Sequence, residues 1–126
     1  MINYVLGGSE KETERLNIQS ALFEKEAIHT FDLAGLKQGM RCLDAGCGVG
    51  HTSLLMSKLV GKSGKVVGLD INENNINVCK KKLNCIDNNL EFVVGDFHGT
   101  ILKDSSFDFV YSSFYSNTWL ILKRLF

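Results

Sequence analysis

Residues 43–50 read Leu-Asp-Ala-Gly-Cys-Gly-Val-Gly, and this stretch decides the fold. The segment Met40–Leu43 is predicted to be a strand that runs into this turn, and the pattern of His51–Leu59 predicts a helix after it. Alternating glycines allow a tight turn and a close backbone approach to a ligand, because no side chain intervenes. The next helix offers free N–H groups at its start. We therefore expect a ligand-binding strand–turn–helix unit, although a tight turn without a ligand would have the same local pattern.

Strands and helices alternate along the rest of the chain. Further strands are predicted at Lys65–Leu69, Leu90–Val94 and Phe107–Tyr111. Asn72 is suited to cap the helix between the second and third strands, and a helix capped by Ser9 precedes the first. This order predicts an α/β fold, a Rossmann-like doubly wound parallel sheet with an N-terminal helical leader. Its ligand should lie beyond the carboxyl ends of the strands.

Candidate ligand contacts follow the second and third strands. Asp70 comes 20 residues after Gly50, where a carboxylate can accept two hydrogen bonds from a ribose diol. Ile71 could pack against an adenine ring, Asp96 could accept a hydrogen bond from its amino group, and Phe97 could line the pocket. The structural alternatives are that Asp70 only opens the next helix and that Phe97 belongs to the core.

The glycine spacing separates two classes of cofactor. The nicotinamide dinucleotide pattern is G-x-G-x-x-G, and counted from Gly46 its third glycine would fall at His51. The glycines here follow the pattern G-x-G-x-G instead. An NAD(P)-binding half-domain is therefore the less favoured alternative.

Four segments in order, DAGCGVG, VVGLDI, FVVGDF and FDFVYSS, resemble the motif set of class I S-adenosylmethionine-dependent methyltransferases. Residues 4–19 are similar to the leader of a small-molecule branch of that family, so the resemblance covers about residues 4–113. It implies S-adenosylmethionine as the cofactor and a small molecule as the methyl acceptor. It does not indicate the acceptor atom.

The same resemblance implies a role for each motif residue. Around the methionine portion of the cofactor it places Asp44, Gly46, Cys47 and Gly48. The ribose would be held by Asp70, the adenine enclosed by Ile71, Asp96 and Phe97, and the sulfonium approached by Ser112. Tyr4, Arg15 and Gln19 would close over the cofactor or substrate, with a solvated helix face as the alternative. A catalytic base is not identified, because His29, His51 and His98 are scattered.

The end of the chain departs from the family, whose sheet has seven strands, of which about four are visible. We divide the chain into a leader (1–39), a cofactor-binding core (40–113) and an atypical tail (114–126), and expect a C-terminal truncation. The fourth strand would then be an exposed hydrophobic edge and a route to self-association. A truncated fragment that binds cofactor without transferring methyl is thus an alternative to an active enzyme.

Composition and cysteine spacing argue against several other classes of protein. Lys plus Arg and Asp plus Glu both number 14, so the net charge of zero argues against a nucleic-acid partner. The sequence has no run of the ~20 apolar residues that a membrane span needs and no signal peptide, so we expect a cytoplasmic protein. The four cysteines lack C-x-x-C spacing, which predicts buried reduced thiols and no metal site.

Overall fold

The computed structural model describes residues 10–83, 89–96, 107–114 and 118–123. The chain forms two compact units, Met1–Ala34 and Gly35–Phe126. The first contains helix α1 (Glu10–Ala34), which ends before Gly35, a glycine whose left-handed φ of 93° is typical of a helix stop. Ser9, its predicted cap, lies outside the described residues. Among the helices described, none has both the length and the apolar composition that crossing a lipid bilayer requires.

The second unit contains the sheet. Its elements are β1 (Arg41–Ala45), α2 (His51–Val60), β2 (Lys65–Asp70), α3 (Glu73–Leu83), β3 (Leu90–Val94), β4 (Phe109–Phe114) and β5 (Thr118–Lys123). The strand order is β3-β2-β1-β4-β5, and the first four strands in sequence are parallel. The predicted Rossmann-like parallel sheet is confirmed. Because the chain leaves β1 toward β2 and later returns to its other side as β4, the order reverses between β1 and β4.

The register brings the strand ends to one edge of the sheet. Ala45 at the end of β1 lies opposite Leu69 of β2 and Ser112 of β4. Asp70, the last residue of β2, lies opposite Val94, the last of β3. The residues that follow these strands therefore meet at one rim.

Apolar side chains cover the sheet on both faces because side chains alternate along each strand. One cluster joins Leu43, Leu69 and Val110 across three adjacent strands. A second joins Ile76 and Cys79 of α3 to Phe92 of β3 and Cys47. The strands are thus fixed by side chains from both faces, which holds their carboxyl ends in place.

A distant side chain satisfies the C-terminal end of α2. The N–H of Gly61, whose φ is 69°, donates to the Ser57 carbonyl at 3.2 Å. Asn89, just before β3, donates its Nδ2 hydrogens to the carbonyls of Ser57 at 3.0 Å and Gly61 at 2.8 Å. These bonds add to the backbone hydrogen bonds that the two carbonyls accept from the N–H groups of Gly61 and Gly64, and they tie the end of α2 to the turn before β3.

The start of β4 is fixed by a reciprocal pair of hydrogen bonds. The N–H of Asp108 donates to the Arg41 carbonyl at 2.7 Å, and Asp108 Oδ2 accepts the Arg41 N–H at 3.0 Å. Asp108 therefore brackets the start of the strand. The strand begins two residues later than the predicted Phe107, because residue 108 is used in this bracket.

The prediction that the fourth strand is an exposed edge is wrong. β5 pairs antiparallel with β4 along its length, from Phe109 opposite Lys123 to Phe114 opposite Thr118. The prediction took residues 114–126 as an atypical tail that added no strand to the sheet. Backbone groups on that side of β4 have partners within the chain, so β5 and not β4 is the edge strand on this side of the sheet.

Candidate functional site

The glycine loop after β1 is tied to the end of β2 by backbone hydrogen bonds. The N–H groups of Gly46 and Cys47 both donate to the Leu69 carbonyl, at 2.7 and 2.9 Å. Gly46, Gly48 and Gly50 have φ values of 77°, 58° and 91°, in the left-handed region that glycine adopts readily. The loop therefore lies at the point where strand order reverses, with its path set by backbone contacts.

Asp70 joins this loop directly. Its Oδ2 accepts the Gly48 N–H at 2.8 Å, and its Oδ1 accepts the Asn72 N–H at 2.8 Å. The expected closeness of the second strand's tip to the glycine turn is confirmed. Each carboxylate oxygen keeps further acceptor capacity, so a diol could still donate to Asp70.

The structural alternative for Asp70 is present as well. By accepting the Asn72 N–H, Asp70 shapes the turn before α3. Asn72 then caps this helix, as predicted, because its Oδ1 accepts the Asn75 N–H at 3.2 Å. Asp70 thus has one oxygen in a helix-opening turn and the other on the loop.

A second carboxylate, Asp44, lies buried at the end of β1 with 2% of its surface exposed. The buried Ser53 hydroxyl donates to its Oδ2 at 2.5 Å. Burial raises the pKa of Asp44 to about 6, and the negative charge of Asp70 also raises it, while the Ser53 hydrogen bond lowers it. Asp44 and Asp70 make this part of the site acidic, which suits a cationic ligand.

Three described cysteines, Cys42, Cys47 and Cys79, carry free, buried thiols, as predicted. Cys47 belongs to the loop, and Cys79 of α3 packs against it. Both thiols donate to the Gly48 carbonyl, at 3.7 Å from Cys47 and 3.2 Å from Cys79. Burial raises the pKa of both thiols, so both stay protonated near neutral pH.

Apolar side chains are exposed beside Asp70. Ile71 is 74% exposed and Val94, opposite Asp70 in the sheet, is 45% exposed. The N–H of Gly95 donates to the Asp70 carbonyl at 3.0 Å, which brings the end of β3 to the same rim. Asp96 follows and is exposed, whereas Phe97 lies outside the described residues. This rim can offer an apolar surface next to a carboxylate.

The other residues predicted for the site are buried, lie in the other compact unit, or fall outside the described residues. Ser112 lies beside the end of β1, but it is buried and its hydroxyl donates to the Ala45 carbonyl at 3.2 Å. Arg15 and Gln19 lie on α1 in the other compact unit. Tyr4 and His98 fall outside the described residues. The Ser112 hydroxyl is therefore already used within the sheet.

Two residues at the loop, Ser53 and Cys79, were not predicted as part of the site. Ser53 is fully buried on α2 and Cys79 is fully buried on α3. For Ser53 a signal exists, because it is a polar residue on the helix face that carries the buried Met56 and Val60. Cys79 matched the helical core pattern, and its contact with Gly48 depends on tertiary packing alone.

The fold and loop together define a class. A parallel sheet with a glycine loop at its switch point, and a carboxylate at the end of the adjacent strand, is the Rossmann-like arrangement that binds nucleotide cofactors. The family described as "methyltransferase domain" matches residues 36–120. This chain belongs to the class I S-adenosylmethionine-dependent methyltransferase family.

Similar proteins agree with that assignment. Demethylmenaquinone methyltransferase of Staphylococcus aureus (strain MRSA252) is 39% identical over 112 residues, covering 86% of this chain and 46% of that protein. An Aquifex aeolicus S-adenosylmethionine-dependent methyltransferase has a TM-score of 0.61 at 32% identity, covering 71% of this chain and 46% of the other. A protein-L-isoaspartate O-methyltransferase has a TM-score of 0.62 at 28% identity, covering 68% and 27%.

These similarities confirm the predicted family, and S-adenosylmethionine is the cofactor that this family uses. They give no support to the nicotinamide alternative. The chain spans about half the length of the curated relatives that it matches.

Proposed function

We propose that this chain binds S-adenosylmethionine at the carboxyl edge of its sheet and takes part in methyl transfer to a small-molecule acceptor. The observation that carries the proposal is the 2.8 Å hydrogen bond from the Gly48 N–H to Asp70 Oδ2. It joins the glycine loop to the carboxylate that would receive a sugar diol. Both groups lie at the switch point of the sheet, where ligands bind in open α/β folds.

The proposed roles combine the resemblance to the family with the positions of the described residues. Asp70 would accept hydrogen bonds from the ribose, with the exposed Ile71 and Val94 offering apolar surface to the adenine. Asp96 and Phe97 would complete the adenine pocket, and Ser112 would mark the side toward the sulfonium. The methionine portion would lie along Gly46, Cys47 and Gly48, near Asp44.

The negative charge of the site supports S-adenosylmethionine in particular as the cofactor. S-adenosylmethionine carries a positive sulfonium, and the site holds two carboxylates, Asp44 and Asp70, whose charges act on each other. A cation placed beside them would relieve their mutual repulsion. This complementarity favours S-adenosylmethionine over a dinucleotide with negatively charged phosphates.

The chemistry needs alignment more than proton transfer. Methyl transfer from a sulfonium is a direct displacement, so the protein must orient donor and acceptor and exclude water. We therefore assign no residue as a catalytic base. Among the described histidines, His29 and His51 are both exposed.

For the acceptor, we infer a small molecule with a quinone-like ring. The support is the 39% identity to a protein named demethylmenaquinone methyltransferase. This inference rests on the relative and not on a pocket formed by the described residues. A panel of small-molecule acceptors that includes demethylated quinones would test it by isotope transfer from labelled cofactor.

A second candidate function is cofactor binding without turnover. It rests on the cofactor site alone, where the Gly48 N–H donates to Asp70 Oδ2 at 2.8 Å. The two functions share the cofactor site and differ only in turnover. Cofactor binding without labelled product across the whole acceptor panel would favour the second.

Isothermal titration with S-adenosylhomocysteine and, separately, NADH tests the binding proposal. We expect saturable binding of the first and none of the second. Binding of NADH alone, or of neither ligand, would contradict the proposed site.

A further inference from the structure

The peptide groups on both sides of Gly48 are held from outside the loop. The Gly48 N–H donates to Asp70 at the end of β2, at 2.8 Å. Its carbonyl accepts a hydrogen bond from Cys79 Sγ at 3.2 Å and a longer one from Cys47 Sγ at 3.7 Å. The loop is therefore fixed from β2 on one side and from α3 on the other.

Cys79 is suited to be a fixed donor. Its side chain is fully buried and packs with Ile76, Phe92 and Cys47, so the sulfur has little freedom to move. Burial raises the pKa of the thiol, and the charges of Asp70 and Asp44 raise it further, although the hydrogen bond with Cys47 partly offsets this. The sulfur therefore keeps the proton that it donates.

The carbonyl that Cys79 holds shares its peptide group with the Val49 N–H. This peptide is trans, so the Val49 N–H points opposite to the Gly48 carbonyl and thus away from Cys79. Val49 itself is 37% exposed. Fixing the carbonyl against α3 consequently fixes a backbone donor on the other side of the loop.

We propose that Cys79 is a positioning residue for cofactor binding. By donating to the Gly48 carbonyl, it sets the Gly48–Val49 peptide so that the Val49 N–H is presented to the cofactor. The inference rests on the proposed function and extends it to a residue beneath the loop that does not itself contact the ligand. A thiol in this position couples the packing of α3 to the shape of the cofactor loop.

The test uses two variants at one position and a control elsewhere in the core. Cys79→Ala removes the donor, whereas Cys79→Ser restores one as a hydroxyl. Cys42→Ala is the control, because Cys42 is equally buried on β1 and its loss leaves Gly48 untouched. Two readouts are needed: the Kd for S-adenosylhomocysteine, and amide hydrogen exchange of residues 46–50 without ligand.

We expect Cys79→Ala to weaken binding roughly 2- to 10-fold, the range of one hydrogen bond, and to speed exchange in the loop. Cys79→Ser should return both readouts to within about twofold of the wild type, since a donor is restored. Cys42→Ala should lower the Tm but leave both readouts unchanged.

Wild-type behaviour of Cys79→Ala would overturn the proposal, and so would a Cys79→Ser variant as impaired as the alanine, since the sulfur would then act by packing. Failure of the wild-type chain to bind S-adenosylhomocysteine would instead overturn the proposed function. The exchange readout would still decide whether Cys79 orders the loop.

Discussion

At the scale of single residues, Asp44 affects fold stability and site chemistry in opposite directions. Its buried charge destabilises the fold but makes the site acidic. Its carboxylate is buried, and a single hydrogen bond from Ser53 offsets part of the cost of keeping it charged. The folded chain holds the pKa of Asp44 at about 6, above the ~3.9 of an unfolded aspartate. Above pH 6 both states are ionised and the buried charge destabilises the fold. Between about pH 6 and 4 the folded state binds the proton first, so this cost is relieved as pH falls.

Asp44→Asn should therefore raise the free energy of unfolding by about 3 kcal/mol at pH 8, and by progressively less as pH falls toward 4. Ser53→Ala should have the opposite effect, because it removes the bond that favours the charged form, and should destabilise more at pH 8 than at pH 5. Urea denaturation at both pH values measures each difference. Equal effects of Asp44→Asn at the two pH values would show that the buried charge has no such cost.

Substitutions at Gly68 and Gly48 distinguish the effect of side-chain packing from the effect of backbone conformation. A Cβ at Gly68 would lie 2.7 Å from the Phe92 ring and 2.9 Å from the Ser53 hydroxyl, whereas one at Gly48 would meet nothing within 4 Å. Gly68→Ala should cost about 1–3 kcal/mol from overpacking, and Gly48→Ala about 1–2 kcal/mol from its φ of 58°. We expect Gly48→Ala to weaken S-adenosylhomocysteine binding more than Gly68→Ala does. Denaturation and titration of both variants measure these differences. A Gly68→Ala variant that binds more weakly than Gly48→Ala would show that the loop conformation is unimportant for binding.

At the scale of elements, α2 depends on a side chain from the turn before β3. Asn89 donates to two carbonyls at the end of α2, and the Asn89 side chain is buried. Asn89→Ala should destabilise the fold by roughly 1–3 kcal/mol, because two side-chain hydrogen bonds from a buried residue are lost. Asn77→Ala, on the exposed surface of α3, is the control and should change stability by less than about 0.5 kcal/mol. Equal denaturation midpoints for the two variants would refute the capping role of Asn89.

The elements that could be predicted from sequence are those defined by local pattern. Glycines and apolar runs predicted β1, α2, β2, α3 and β3, and their order predicted the parallel sheet. β5 was missed because residues 114–126 lack stop signals, and their assignment as a strand depends on pairing with β4. Asp70 at the loop could be predicted from strand topology. Cys79 and Asn89 could not, because their partners lie 31 and 32 residues away along the chain and are brought near only by packing. Ser53 had a signal as a polar residue on the buried face of α2, but its bond to Asp44 was not predicted.

At the scale of the whole molecule, β5 covers β4 and is itself the edge strand of the sheet. β4 pairs with it through six residue pairs, from Phe109–Lys123 to Phe114–Thr118. Deleting residues 118–126 should expose the apolar β4 edge and cause concentration-dependent self-association. Sedimentation velocity of the deleted and full chains over a range of concentrations measures this. A deleted chain that stays monomeric at every concentration would show that β5 does not protect β4 from self-association.

The cofactor site also belongs to this scale, because β1, β2 and the loop between β1 and α2 meet only in the folded sheet. Its central feature is the Asp70 carboxylate, whose Oδ2 lies 2.8 Å from the Gly48 nitrogen. The most direct test is isothermal titration of S-adenosylhomocysteine into wild type, Asp70→Asn and Glu91→Gln. Glu91 is the matched control. It is a carboxylate on β3 that pairs in solvent with Lys65, which lies at the start of β2, whereas Asp70 lies at the end of β2. We predict that Asp70→Asn binds about 10- to 100-fold more weakly while Glu91→Gln binds like the wild type. Unchanged affinity in Asp70→Asn would contradict the account.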